Sequence, residues 1–86
     1  MRYRRKPPEV EAMQWLPNNK KQKAKLCAWL TEHEVRFAVN MDSQIEAMML
    51  DHAFLVDPED WVVCGPHQEW FPVKPDVFTN LYEELL

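Results

Sequence analysis

Apolar positions along this chain change period several times, and each change marks an element. Residues 9–15 alternate weakly, with Glu9, Glu11, Met13 and Trp15 on one side and Val10, Ala12 and Gln14 on the other. That pattern predicts a strand with both faces partly covered, entered through Pro7-Pro8. Pro17-Asn18-Asn19 is turn chemistry, and either asparagine can cap the exposed N–H groups of a following helix. From there Leu26, Trp29, Leu30 and His33 fall on one arc at 100° per residue, with Cys27 at its margin, so a helix over 19–33 is expected with that arc as its core face. Val35, Phe37 and Val39 alternate with Arg36 and Ala38 and predict a half-buried strand. "QIEAMMLD", 44–51, carries residues that also favour helix; its place between strand candidates assigns it to a strand.

The stretch "DPEDWVVCGPHQEWFPVKPD", 57–76, is punctuated by prolines and contains the chain's one glycine. Pro58 suits the second position of a tight turn, where its fixed φ is already correct. Trp61-Val62-Val63-Cys64 is β-rich and apolar on both faces, as a central strand requires, and Trp61 is expected in the core. Gly65-Pro66-His67-Gln68 breaks that strand, and 69–73 returns as its hairpin partner, placed at an edge because Pro72 has no N–H to give. Asp76 is expected to cap a short helical turn after Lys74-Pro75. The expected fold is a single α+β domain over 1–86, with a basic arm at 1–7. It comprises a small antiparallel sheet of four to six strands, one packed helix and a short C-terminal helical turn.

Charge adds an asymmetry that hydrophobicity does not show. Residues 1–25 hold eight Lys/Arg and two acids, a balance of +6, whereas 26–86 hold two Lys/Arg and twelve acids, a balance of −10. Either the two parts neutralise one another across the fold or they leave a dipolar surface. The basic segments "RYRRK" and "KKQKAK" offer nucleic-acid contacts through Arg2, Tyr3, Arg4, Arg5, Lys6, Lys20 and Lys21, with Tyr3 able to stack on a base. The acids Asp57, Glu59, Asp60 and Glu69, with Trp70 as an aromatic anchor on an exposed edge, form the candidate contact patch for a protein partner.

Enzymatic and metal chemistry find little support. Cys64 and His67 make a C-x-x-H half-site that Cys27 and His33 would have to complete, without the paired spacing of a zinc ribbon or finger, so no metal is expected. The chain holds no G-x-S-x-G, no H-E-x-x-H and no glycine-rich phosphate loop. No enzyme activity and no cofactor are expected. Two cysteines do not make a disulfide framework, and no apolar leader or membrane-length run follows "MRYRRKPP"; a cytoplasmic protein with reduced thiols is expected, without membrane contact.

The two ends of the chain, "MRYRRKPPEVEAMQW" and "DPEDWVVCGPHQEWFPVKPDVFTNLYEEL", resemble small proteins of tailed phages and prophages. Those carry a P-G-D-Y/W motif before a strand, then a G-x-x-G-E-F/W turn and a K-P-D-x-F ending. Residues 16–56 carry no part of the resemblance. Glu59 stands where the motif has glycine, which points to a type I turn in place of type II. Gln68 replaces the glycine before Glu69, which points to another hairpin geometry. The resemblance implies phage provenance, a small α+β fold and a role in phage–host conflict or phage regulation, with no catalytic residue to carry over. The expected function is a non-enzymatic protein that binds a host protein, such as a nucleic-acid-binding defence effector, in the manner of an anti-CRISPR inhibitor with an acidic surface. The alternative is a nucleic-acid-associated accessory protein using the basic arm.

Overall fold

A computed structural model describes residues 9–84. Its order is β1 (Glu11–Gln14), α1 (Lys20–Glu32), β2 (Arg36–Val39), β3 (Ile45–Met48), β4 (Ala53–Val56), β5 (Trp61–Cys64), β6 (Trp70–Val73) and α2 (Pro75–Leu81). The fold is α+β, as expected. Its six strands divide between two antiparallel three-stranded sheets, β1-β5-β6 and β2-β3-β4. The first sheet has the apolar strand β5 at its centre and the proline-bearing strand β6 at its edge. Expected membership and observed order agree there, because a strand apolar on both faces is stable only between neighbours.

The middle of the chain departs from the expected pattern. The strand anticipated over 44–51 ends at Met48, and Met49 N–H donates to the His52 carbonyl (2.8 Å) to close a tight hairpin around Leu50 and Asp51. β4 then follows in "AFLV", a segment to which the alternation assigned no element. The expected strand is therefore shorter than its segment, whose end forms the turn into a further strand.

One core serves both sheets and the helix. Leu26, Trp29 and Leu30 from α1 pack with Val62, Cys64 and Trp70 from the first sheet and with Ile45, Ala47 and Val56 from the second. Trp15 is fully buried and donates its indole N–H to the Ser43 carbonyl (2.7 Å), which ties the end of β1 to the β2–β3 hairpin. Asn19 caps α1, accepting from the Gln22 N–H (3.1 Å). His33 lies at the C-cap and is exposed, outside the buried arc, with its ring edge-on to Trp29 and Trp70.

Two expectations near the C-terminus are corrected. Trp61 is half-buried and lies outside the shared core; it stacks flat on Phe78 of α2 (centroids 4.0 Å, 6° between planes), and Phe78 stacks in turn on Tyr82. Its face of β5 points to α2, so it docks the helix. Asp76 caps nothing: Lys74 is the N-cap residue and makes no side-chain cap bond, and Pro75 opens the helix, leaving Asp76 in the first turn. Proline at N1 starts a helix through its fixed φ and missing N–H, and the acid there gains only from the helix dipole.

Among the described residues, four other than glycine adopt positive φ: Glu34 (59°), Ser43 (60°), Glu59 (77°) and Gln68 (61°). Each sits where a chain reversal demands it. Glu34 follows the C-cap of α1, with Glu34 N–H bonded to the Thr31 carbonyl and Val35 N–H to the Leu30 carbonyl, the Schellman pattern that usually holds glycine. In the 57–60 turn Asp60 N–H bonds to the Asp57 carbonyl (3.0 Å); Pro58 excludes positive φ at the second position, so Glu59 completes a type II turn. Gln68 follows a turn closed by Gln68 N–H to the Gly65 carbonyl, a three-residue hairpin loop with a left-handed last residue. The expected switch to other turn types at Glu59 and Gln68 is therefore overturned: the backbone keeps the glycine-type geometry and the side chain tolerates it.

A left-handed residue with a Cβ costs roughly 1–2 kcal/mol, partly returned by the lower entropy of the unfolded chain. Glu34→Gly and Glu59→Gly should each therefore raise stability by about 0.5–1 kcal/mol. In urea unfolding the midpoint should rise with an unchanged slope; a midpoint that falls would mean these positions are not left-handed.

Candidate partner-binding surface

The acids chosen from the sequence do not form one patch. Asp57, Glu59 and Asp60 lie in the turn that enters β5, whereas Glu69 lies beyond its other end, beside the loop that enters β6. Four extended residues separate them, roughly 13 Å of strand. Trp70, placed on an exposed edge by the sequence reading, is only 3% exposed; its ring packs against Trp29 of α1 with centroids 4.9 Å apart. It belongs to the core because the inner face of β6 is covered by the helix, which a strand pattern alone does not reveal.

Asp60 is likewise buried, at 3% exposure. Its Oδ2 accepts from the Asp57 N–H (3.1 Å) and from Lys74 Nζ (3.0 Å). Lys74 also donates to Asp57 Oδ2 (2.6 Å), and Gln44 Nε2 donates to Asp57 Oδ1 (2.6 Å). Hydrogen bonds from Lys74, then Gln44, hold the Asp57 carboxyl below the usual aspartate range, and its bonds to Asp57 and Asp60 push Lys74 up. The network joins the β5 turn, the start of α2 and the β2–β3 hairpin, so it serves the fold. Of the expected patch, Glu59 and Glu69 are exposed and stand outside any ion pair, whereas the Asp57 carboxyl, though open to solvent, is engaged by Lys74 and Gln44.

The charges that remain exposed are sorted along α1. Lys20, Lys21, Lys23 and Lys25 are all exposed in its first half, which follows Asn18 and Asn19; these two share a shallow depression with Glu59. At the opposite end of this 13-residue helix, roughly 20 Å away, acids gather. His33 shares a depression of about 330 Å³ with Glu9, Glu11, Cys64 and Gln68. Glu32 and Glu34 flank His33 in the chain, and both are exposed. Glu69 folds across Gly65, so closely that a Cβ on that residue would fall 2.1 Å from Glu69 Oε1. Glu11 stands opposite Cys64 in the β1–β5 register and accepts from the Trp29 indole N–H (3.4 Å). The buried Cys64 thiol is pushed up, first by burial and then by the nearby charges of Glu11 and Glu69.

Glu11, Glu32 and Glu34 were not singled out from the sequence as contact residues, though the order of charges along α1 was visible in it. Lysines at a helix start and an acid at its end both oppose the helix dipole, so neither group is placed there for helix stability. The described residues include Lys20 and Lys21 of the nucleic-acid candidates; Arg2, Tyr3, Arg4, Arg5 and Lys6 lie outside them, as does the arm at 1–7. Among the described residues, no three or more His, Cys, Asp or Glu side chains are grouped to hold a metal ion, and no helix is long and apolar enough to cross a membrane.

A second polar link joins the sheets. His52, after the β3–β4 turn, meets Asp51 Oδ1 through Nδ1 (2.7 Å) and donates from Nε2 to the Trp70 carbonyl of β6 (3.3 Å). The bond to Asp51, then that to Trp70, raises the His52 pKa. Only the imidazolium can donate at both nitrogens.

Two outcomes follow from these contacts. Asp60→Ala should cost about 1–3 kcal/mol, because it leaves the Asp57 N–H without its partner; a loss below 0.5 kcal/mol, the range of ordinary surface changes, would return Asp60 to the surface candidates. The His52 contribution should be fully present below its unfolded pKa of about 6.5 and disappear as pH rises through the higher folded value. Melting curves of wild type and His52→Gln should thus differ at pH 5 and converge by pH 9; a gap that widens with pH would reverse the sign. No protein-family model, curated protein or solved structure matches the chain.

Proposed function

We propose that this is a non-enzymatic phage or prophage protein that binds a basic host protein, acting as an anti-CRISPR-like inhibitor of a nucleic-acid-binding defence effector. The observation that carries the reading is the fate of the acids in 26–86. Of the twelve, Asp60 is buried and Asp57 half-buried; the other ten are exposed. Among the described residues, only Asp51, Asp57 and Asp60 take part in ion pairs. Carboxylates that stay solvated leave a standing negative field, and a field of that sign favours a basic groove.

The contact surface in this reading is the acidic end built from Glu11, Glu32, Glu34 and Glu69, around the depression below His33. It replaces the scattered set that included Asp60 and Trp70. Carboxylates in that region can occupy the positions that phosphates take in a nucleic-acid-binding cleft, which would make the inhibitor a competitor for that cleft. The accessory-protein reading has one observation in its favour, the exposed lysines at the start of α1.

The experiment is a capture from host lysate with immobilised protein, followed by competition with duplex DNA. Wild type should retain a basic protein that DNA displaces, with retention falling as salt rises. The triple variant Glu32→Gln, Glu34→Gln, Glu69→Gln should melt within about 0.5 kcal/mol of wild type yet bind at least about tenfold more weakly. Equal capture by the triple variant rules out the acidic end. Tight, salt-sensitive binding of wild type to free DNA that Lys20→Glu, Lys21→Glu abolishes would favour the accessory reading instead.

A further inference from the structure

The outer face of sheet β2-β3-β4 lacks the polar cover that a solvated face normally has. The register places Arg36, Met48 and Ala53 in one cross-strand row and Ala38, Glu46 and Leu55 in the next, all on the same side. All six are exposed, with Met48 at 65% and Leu55 at 52%. The opposite side carries Phe37, Ala47, Phe54, Ile45 and Val56, which belong to or pack against the core. An antiparallel sheet with one wet face should alternate apolar inside with polar outside. Here four of the six outer positions are apolar, and the other two are one cation and one anion.

That single pair points to the occupant. Arg36 is on the edge strand and Glu46 on the central strand, one row apart, so they are diagonal neighbours separated by about 7–8 Å. We propose that this face binds the same face of a second copy of the chain. Consider a two-fold axis lying between two stacked sheets and crossing the Arg36–Glu46 line at its midpoint. It sets Arg36 of each copy over Glu46 of the other, closing two equivalent ion pairs in an isologous contact. On the strand lattice the same axis passes close to Met48 and Ala38, so each of these packs on its own mate. The face carries no net charge, which gives nucleic acid or an anionic lipid surface nothing to seek. It is also a neutral area on an acidic protein, where two like-charged copies can approach. Three strands of four residues make a small contact, so the dimer is weak and concentration-dependent.

Sedimentation velocity across the micromolar to millimolar range tests this with the whole chain. Wild type should pass from monomer to dimer as concentration rises. Arg36→Glu and Glu46→Arg should each weaken dimerisation at least about tenfold, since like charges then face one another. The double variant R36E/E46R should restore it, because the swapped pair closes equally well across the axis. Met48→Lys should also give a monomer. Circular dichroism of each variant verifies the fold, and the exposed positions leave little reason for it to change. The acids Glu32, Glu34 and Glu69 are untouched, so partner capture and dimerisation can fail separately. A wild type that stays monomeric throughout overturns the proposal, as does a dimer that survives both single charge variants or a double variant that fails to recover.

Discussion

Chain reversal without glycine is the constraint on which the rest of this structure depends. The β2–β3 hairpin, the β5–β6 hairpin, the turn into β5 and the exit from α1 each need a left-handed residue. Ser43, Gln68, Glu59 and Glu34 occupy those positions, while the chain's single glycine, Gly65, does not adopt positive φ. Such conformations persist only where surrounding bonds over-determine them. The bonds are present: Asn40 Oδ1 accepts from the Asp42 and Gln44 N–H groups (both 3.0 Å) around Ser43, and Gln14 Nε2 donates to the Glu59 carbonyl (2.9 Å). Strain in the loops is held by polar contacts to neighbouring elements, so turn geometry and tertiary packing are coupled throughout.

That coupling explains why the acidic turn before β5 serves the fold. A type II turn with Glu59 at its third position brings Asp57 and Asp60 to one side, where Lys74 can bridge them. With both carboxylates committed to the network, the charge that stays solvated is carried by the other, exposed acids. They include Glu32 and Glu34 at the far end of α1 and Glu69, which folds across Gly65. Lys20, Lys21, Lys23 and Lys25 stand exposed at the opposite end of the helix. The open face of β2-β3-β4 differs from both ends in its chemistry: four apolar positions with one cation and one anion.

Much of the fold was legible in the chain. The arc Leu26, Trp29, Leu30 on α1, the Asn19 cap, the apolar β5 at the centre of its sheet and Pro72 on an edge all follow from local rules. Periodicity, cap chemistry and the missing proline N–H act within a few residues, so the sequence displays them directly. The sequence also displayed the sorting of charge into a basic first part and an acidic remainder.

What only the tertiary structure decided is which side of each element meets another. Trp61 and Trp70 look alike in a β-rich hairpin, yet Trp70 faces α1 and is core, whereas Trp61 faces α2 and is half-buried. Lys74 lies far enough from Asp57 and Asp60 in sequence that their ion-pair network appears only once β5 and α2 are placed. The strand expected over 44–51 stops at Met48 because a turn at Leu50-Asp51 lets β4 pair with β3, and that pairing, more than any propensity of "AFLV", makes the further strand. Burial and pairing are properties of two surfaces together, and a one-dimensional pattern specifies only one of them.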